Sequence, residues 1–268
     1  SPQAVEDAII RSGFGATGGC VELVDSTGGI YRTSLTGCTA ESGGGLSATG
    51  GDLHLEAVTI EDNLATDGTG GGVFIDSGSL TVMGANIVNN VADDPASTPG
   101  SGFGGGIYAL SASVTVSGSR FEGNEARSVR PESGIGGALR SLDGEITVDA
   151  SSFENNVAYS MGSAFAGEGG VEPYLFTGNR FRDNDADADG GALRCERGPG
   201  CVVDRGWFEG NTASDGAAIW TDVNLVVTTS MFCANLASDD GGAIDLGDQV
   251  LGAEMTVSGS VFAHNAAG

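Results

Sequence analysis

The chain has 268 residues, 36 of them acidic and 11 basic, for a formal net charge of −25. That balance makes nucleic acid and anionic membranes poor partners. No apolar run approaches the ~20 residues of a transmembrane helix, and 47 glycines work against helical structure in general.

Behind Ser1-Pro2, the segment Ala4-Val5-Glu6-Asp7-Ala8-Ile9-Ile10 has a short amphipathic helix pattern. It is expected to cap the exposed end of the strand repeats, so residues 1–19 are assigned to a cap. A strand is expected at Cys20-Val21-Glu22-Leu23-Val24. Beyond it one phrase recurs eight times: a bulky apolar residue, Asn three later, Ala two after that. It reads Ile60/Asn63/Ala65, Ile87/Asn90/Ala92, Phe121/Asn124/Ala126, Phe153/Asn156/Ala158, Phe181/Asn184/Ala186, Phe208/Asn211/Ala213, Phe232/Asn235/Ala237 and Phe262/Asn265/Ala267. Small-residue runs ending in an apolar residue interleave with it, from Gly43-Gly44-Gly45-Leu46 to Gly241-Gly242-Ala243-Ile244. Strand-like triplets such as Leu53-His54-Leu55 and Val114-Thr115-Val116 end five positions before each bulky residue.

Repeat length runs from 24 to 34 residues, and the variation is confined to two loops. A fixed core with elastic corners predicts a solenoid. The expected fold is a single all-β domain over 1–268, a right-handed parallel β-helix with repeats over 20–268. It has about 8–9 turns of three short strands, and at ~4.8 Å per turn eight repeats make a rod of roughly 40 Å. The chain stops at Ala267-Gly268 inside a repeat, which is read as truncation. The asparagine column is read as structural, each side chain bonding backbone groups that a corner leaves unpaired and its stacked neighbours. The phenylalanine column is read as an interior stack.

Two columns face outward after each small-residue run. The first is Ser47, Phe74, Tyr108, Arg140, Ala166, Arg194, Trp220 and Asp245; the second runs through Asp76, Leu110, Leu142, Glu168, Glu196, Asp222 and Gly247. Rings and arginines on an exposed face suit sugar recognition, which makes Phe74, Tyr108, Arg140, Arg194 and Trp220 ligand-binding candidates. An enzymatic version uses Glu168, Glu196 and Asp222, with Arg140 and Arg194 binding an acidic sugar or Arg194 acting as a lyase base. Adjacent turns put Glu196 and Asp222 about 5 Å apart, near a retaining pair, and Glu168 and Asp222 about 10 Å apart, slightly beyond an inverting one. The alternative is a solvated ladder of Arg–Glu pairs.

Asp183, Asp185, Asp187 and Asp189 alternate into Gly190-Gly191, and Asp239-Asp240 precede Gly241-Gly242, two acidic clusters suited to Ca²⁺. Nothing in the chain matches an EF-hand or a nonapeptide calcium repeat. His54 and His264 lie in different columns. Cys195 and Cys201 bracket the Glu196–Gly200 loop as a disulfide or as two buried thiols. Cys20 and Cys38 offer a similar pair, leaving Cys233 in an outward column. Two long corners, Asp93 to Phe103 and Arg127 to Ile135, should protrude side by side with Pro95, Pro99, Arg130 and Pro131. Leu175, Val202 and Val226 form an outward apolar run.

The alternating Gly-Gly-Ala-(Ile/Leu/Val) and Phe-x-x-Asn phrases resemble the repeats of polymorphic outer-membrane proteins, bacterial β-helix surface proteins of the wider pectin-lyase-like kind. The phenylalanine phrase is strict in six repeats, and the small-residue phrase in three. The resemblance implies an exported, extracellular or cell-surface chain serving adhesion or envelope structure. Its expected partner is a glycan or a host or neighbouring surface protein. A polysaccharide-active enzyme is the alternative, and an inert spacer the third reading.

Overall fold

The computed structural model describes residues 3–95, 102–129, 133–247 and 252–268. Each complete turn contains four strands rather than three. One turn reads Asp52–Glu56, Thr59–Glu61, Leu64–Thr69 and Val73–Asp76. Every strand pairs in parallel with its equivalent one turn on, which builds four sheets of ten, ten, nine and nine strands. We label these sheets A to D in the order the chain meets them. Sheet C is the one the sequence conceals. In later turns its strand shrinks to two residues, as at Val157–Ala158, and only the alanine points inward, so there is no alternation to read.

The expected capping helix is instead the first turn of the solenoid. Gln3–Glu6 pairs with Gly28–Tyr31, and Ile9–Arg11 pairs with Ser34–Thr36. The reason lies in the spacing: Val5 to Ile10 is the same five-residue step that joins Leu55 to Ile60. Asp7 turns the corner between them with φ 49°. Val5 therefore stacks on Ile30, and Ile10 on Leu35. No helix occurs among the described residues.

Positive-φ residues mark the corners. Before each ladder asparagine the left-handed residue is variable, for instance Asp62, Asn155 and Ala234. The corner from sheet C to sheet D always uses glycine. A Cβ on Gly104, for example, would collide with the Ile107 carbonyl oxygen, so both φ and space demand glycine there.

Inside, one continuous apolar cluster runs the length of the rod. Six phenylalanines, Phe121, Phe153, Phe181, Phe208, Phe232 and Phe262, stack in sequence with centroids 4.6–5.2 Å apart. Leu35, Ile60 and Ile87 continue the same column. Beside it Asn63, Asn90, Asn124, Asn156, Asn184, Asn211, Asn235 and Asn265 form an unbroken hydrogen-bonded chain. Each Nδ2 donates to the Oδ1 of the next at 2.8–3.1 Å. All but the terminal Asn265 are buried. Asn156 Nδ2, for instance, also donates to the Phe121 carbonyl at 3.2 Å. Its own Oδ1 accepts from Asn124 N and Nδ2, each at 3.1 Å. A second ladder, not anticipated, lines the corner from sheet A to sheet B, where Ser119, Ser151 and Asn179 each accept a backbone N–H from the turn below. Its signal in sequence is weak, because other turns place Ala85 or Gly206 there.

Both disulfides form, Cys20–Cys38 and Cys195–Cys201. Cys38 stands where other turns carry the ladder asparagine, and Cys20 where they carry the third small residue. Those positions are neighbours throughout: a Cβ on Gly45 would lie 3.0 Å from Asn63 Nδ2. Cys38 Sγ also accepts the Gly13 N–H at 3.3 Å, as an asparagine oxygen would. Loop-closure entropy makes the longer bridge the stronger stabiliser, at roughly 3 kcal/mol against roughly 2 kcal/mol for Cys195–Cys201. Denaturant titrations of the C20S/C38S and C195S/C201S variants should reproduce that order. Cys233 is half-buried and unbonded, in the outward column of Glu209 and Ala263.

Candidate functional site

The outward column of sheet D has the expected register: Ser47, Phe74, Tyr108, Arg140, Ala166, Arg194, Trp220 and Asp245 stack in order. Its exposure differs from expectation. Tyr108, Arg140, Arg194 and Trp220 are all buried, and Phe74 is half-buried. For Tyr108 and Arg140 the cause is a neighbouring column at the C-to-D corner, one residue before the first small residue of each run. It reads Phe103, Ile135, Met161, Asp189, Asp215 and Asp240 on successive turns. Its apolar half leans over sheet D, so that Phe103 packs on Tyr108 at 5.6 Å and under the Arg140 guanidinium at 5.8 Å. Its acidic half stands back.

Where the acidic half stands back, a cleft of about 590 Å³ opens. Asp189, Asp215 and Asp240 line one wall, Glu196, Arg197 and Asp222 the other, with Arg194, Trp220, Asp245 and Gly247 between them. Arg194 lies over the Trp220 ring at 4.7 Å. A Cβ on Gly247 would sit 2.5 Å from Trp220 Cζ2, so that ring is enclosed as well as capped. It is not an open platform for a sugar.

The charges are wired together. Arg140 Nη2 donates to Glu168 at 2.5 Å, and Arg197 Nη2 reaches the other Glu168 oxygen at 2.9 Å. Arg197 Nε donates to Glu196 at 3.0 Å, and Arg194 Nη1 meets the second Glu196 oxygen at 2.7 Å. The Arg197 backbone N–H donates to Asp222 at 3.1 Å. Glu168, Glu196 and Asp222 thus occupy successive turns as expected, each bound to arginine. Burial lowers the Arg194 pKa from its ordinary value, with Glu196 and Asp189 acting the other way. Burial likewise raises Asp189, with Arg194 opposing and Asp215 and Glu196 adding. Arg197 is the cleft residue that sequence reasoning passed over. It sits in the loop closed by Cys195–Cys201 with φ 50°, and only that loop's brevity hinted at a fixed side chain.

The other candidates lie elsewhere. Phe74 and Tyr108 pair with each other near the N-terminal end of sheet D. Asp183 sits at the B-to-C corner, and Asp185 in sheet C accepts a hydrogen bond from Thr212. Asp187, Asp189, Asp239 and Asp240 belong to the C-to-D corner, so the six aspartates do not form one cluster. Among the described residues no group of three or more His, Cys, Asp or Glu side chains converges to hold a metal ion. The ladder asparagines face the interior at the B-to-C corner, and none lines the cleft. Besides their bonds to one another, Asn90 Nδ2 donates to the Ile60 carbonyl at 2.9 Å, and Asn211 and Asn235 donate to the Phe181 and Phe208 carbonyls at 3.1 Å. That leaves their amide donors engaged within the rod. The two long corners start side by side, Asp93 against Arg127 and Phe103 against Ile135, while Pro99, Arg130 and Pro131 lie outside the described residues. Leu175, Val202 and Val226 stack outward on sheet A, Leu175 and Val226 well exposed.

A family model described as the right handed beta helix region matches residues 5–186. The chain belongs to the right-handed β-helix family. This agrees with the four-sheet parallel solenoid and says nothing of the cleft's ligand. No curated protein and no solved structure matches at a significant level. Among the described residues no helix is long and apolar enough to cross a membrane.

Proposed function

We propose that this β-helix is an exported, cell-surface protein that serves adhesion by holding a glycan in the sheet D cleft without cleaving it. The observation that carries this reading is the Arg140–Glu168–Arg197–Glu196–Arg194 chain, whose Arg197, Glu196 and Arg194 members line the cleft. It supplies a rigid, polar, concave surface suited to many hydroxyl groups. It also occupies both oxygens of Glu168 and Glu196, the groups that the hydrolase alternative would use as acid, base or nucleophile. Two disulfides favour an oxidising compartment, and the resemblance to outer-membrane repeats fits a surface location.

The test is affinity electrophoresis against neutral, acidic and basic polysaccharides, with polymer length followed by size exclusion. At least one glycan is expected to retard the protein with its length unchanged. Arg197→Ala, a change at an exposed side chain, should weaken that retardation by about tenfold. Shortening of a polymer that disappears in Glu196→Gln or Asp222→Asn would establish the enzymatic alternative instead.

A further inference from the structure

We infer that sheet A carries a separate carbohydrate site, near the N-terminal end of the rod, that takes an uncharged pyranose chain. It does not rest on the sheet D cleft, which opens towards the other end. A shallow depression of about 450 Å³ lies on the outer face of the first strands of sheet A, within the size range of small-molecule sites. Its floor is the middle outward column, which reads Ala4, Gly29, His54 and Thr81 on successive turns. The two small residues that begin this column leave the space.

An aromatic ring is fixed over that floor. A Cβ on Gly29 would sit 2.3 Å from the Tyr31 hydroxyl oxygen and 2.4 Å from Cε2 and Cζ. Tyr31 therefore folds back along its own strand and packs on the bare main chain of Gly29, which is buried. The His54 ring stands beside it from the next turn, with centroids 5.6 Å apart and planes inclined by 41°. Both residues are only half-buried, whereas Trp220 is covered by Arg194. A bent aromatic surface held in place offers the C–H face of a sugar an apolar contact at little entropic cost.

Polar groups stand at the edges of this surface, where the hydroxyls of a stacked sugar project. Ser79 Oγ donates to Asp52 Oδ1 at 2.6 Å, which orients the carboxylate of an exposed residue. Thr27 and Thr81 add hydroxyls that donate or accept. Two carboxylates line the depression, Glu6 and Asp52, and Arg32 pairs with Glu6 at 3.2 Å. Among the described residues no lysine or arginine lines it, so a uronate or sulfate would meet Asp52 with no cation to offset it. A cationic group would share the site with His54, which carries like charge when protonated. An uncharged sugar meets neither penalty.

Amide NMR titration of the intact protein with β-1,4-linked hexamers of glucose, mannose and N-acetylglucosamine tests this, beside a uronate hexamer and tetramethylammonium. At least one neutral hexamer is expected to shift the amides of Gly28–Tyr31 and of residues 52–54. Tyr31→Ala should weaken that binding by at least about tenfold, and Tyr31→Phe by no more than about threefold. Gly29→Ala keeps Tyr31 but displaces its ring, and should weaken binding as Tyr31→Ala does, with the amides of the other turns unmoved. No shift at these amides with any neutral hexamer would overturn the site, whatever the amides of the sheet D cleft do. Tighter binding of the uronate or of tetramethylammonium would overturn the uncharged-sugar assignment. Unchanged affinity in Tyr31→Ala or in Gly29→Ala would overturn the site as well.

Discussion

Replacing Asn156 with alanine is expected to destabilise the rod by about 4 kcal/mol or more. The side chain's removal strips the acceptor from Asn124 N and Nδ2 and the donor from the Phe121 carbonyl, all buried. A buried polar group left unsatisfied costs roughly 1–3 kcal/mol; Asn124 N and the Phe121 carbonyl each lose this partner, and Asn124 Nδ2 keeps only its bond to the Ile87 carbonyl at 2.8 Å. Chemical denaturation, with hydrogen exchange to localise the loss, measures it. Two comparisons sharpen the claim. Asn265→Ala, at a half-buried end of the ladder, should cost far less. Asn156→Asp preserves the acceptor but points a carboxylate at the Phe121 carbonyl and Asn184 Oδ1, so it should be markedly unstable at neutral pH. Acidification should partly restore that variant, because the protonated acid regains one donor. Equal costs at Asn156 and Asn265 would mean that the ladder is not cooperative, contrary to what its bonding pattern requires.

Phe153→Ala is the second large effect, expected at about 3–5 kcal/mol. The ring is fully buried between Phe121 at 4.7 Å and Phe181 at 5.2 Å. Its loss opens a cavity that stacked parallel strands have little freedom to close. Phe153→Leu should cost only about 1–2 kcal/mol, since Leu35, Ile60 and Ile87 already hold the same column. Phe262→Ala, at 47% exposure, should cost under about 1 kcal/mol. Melting curves of the three variants decide this. A Phe153→Ala variant near wild type would mean that the stack adds order but little energy.

Much of this was legible in the residues. The constant steps of five, three and two positions place Leu55, Ile60, Asn63 and Ala65 in fixed columns, and those columns are the rungs of the solenoid. The same steps run through Val5, Ile10 and Gly13 and through Ile30, Leu35 and Cys38. There the ladder asparagine is replaced, which hid the first two turns and let Ala4–Ile10 read as a helix. Sheet C stayed hidden because one inward alanine makes no pattern.

Direction is a local property of a strand, so alternation alone assigns Arg194 and Trp220 to the outward side of sheet D. Exposure is not local. It depends on what stands at the adjacent corner, and that corner is a loop of variable length whose residues come into register only when the turns stack. Phe103 covers Arg140, while Asp189, Asp215 and Asp240 withdraw from Arg194; Arg197, at a loop tip, ties Glu168, Glu196 and Asp222 across three turns. The fold and its columns were therefore determined by the periodicity of the chain. The cleft and its charge were decided only by tertiary stacking, which brings together side chains some thirty residues apart that no local pattern relates.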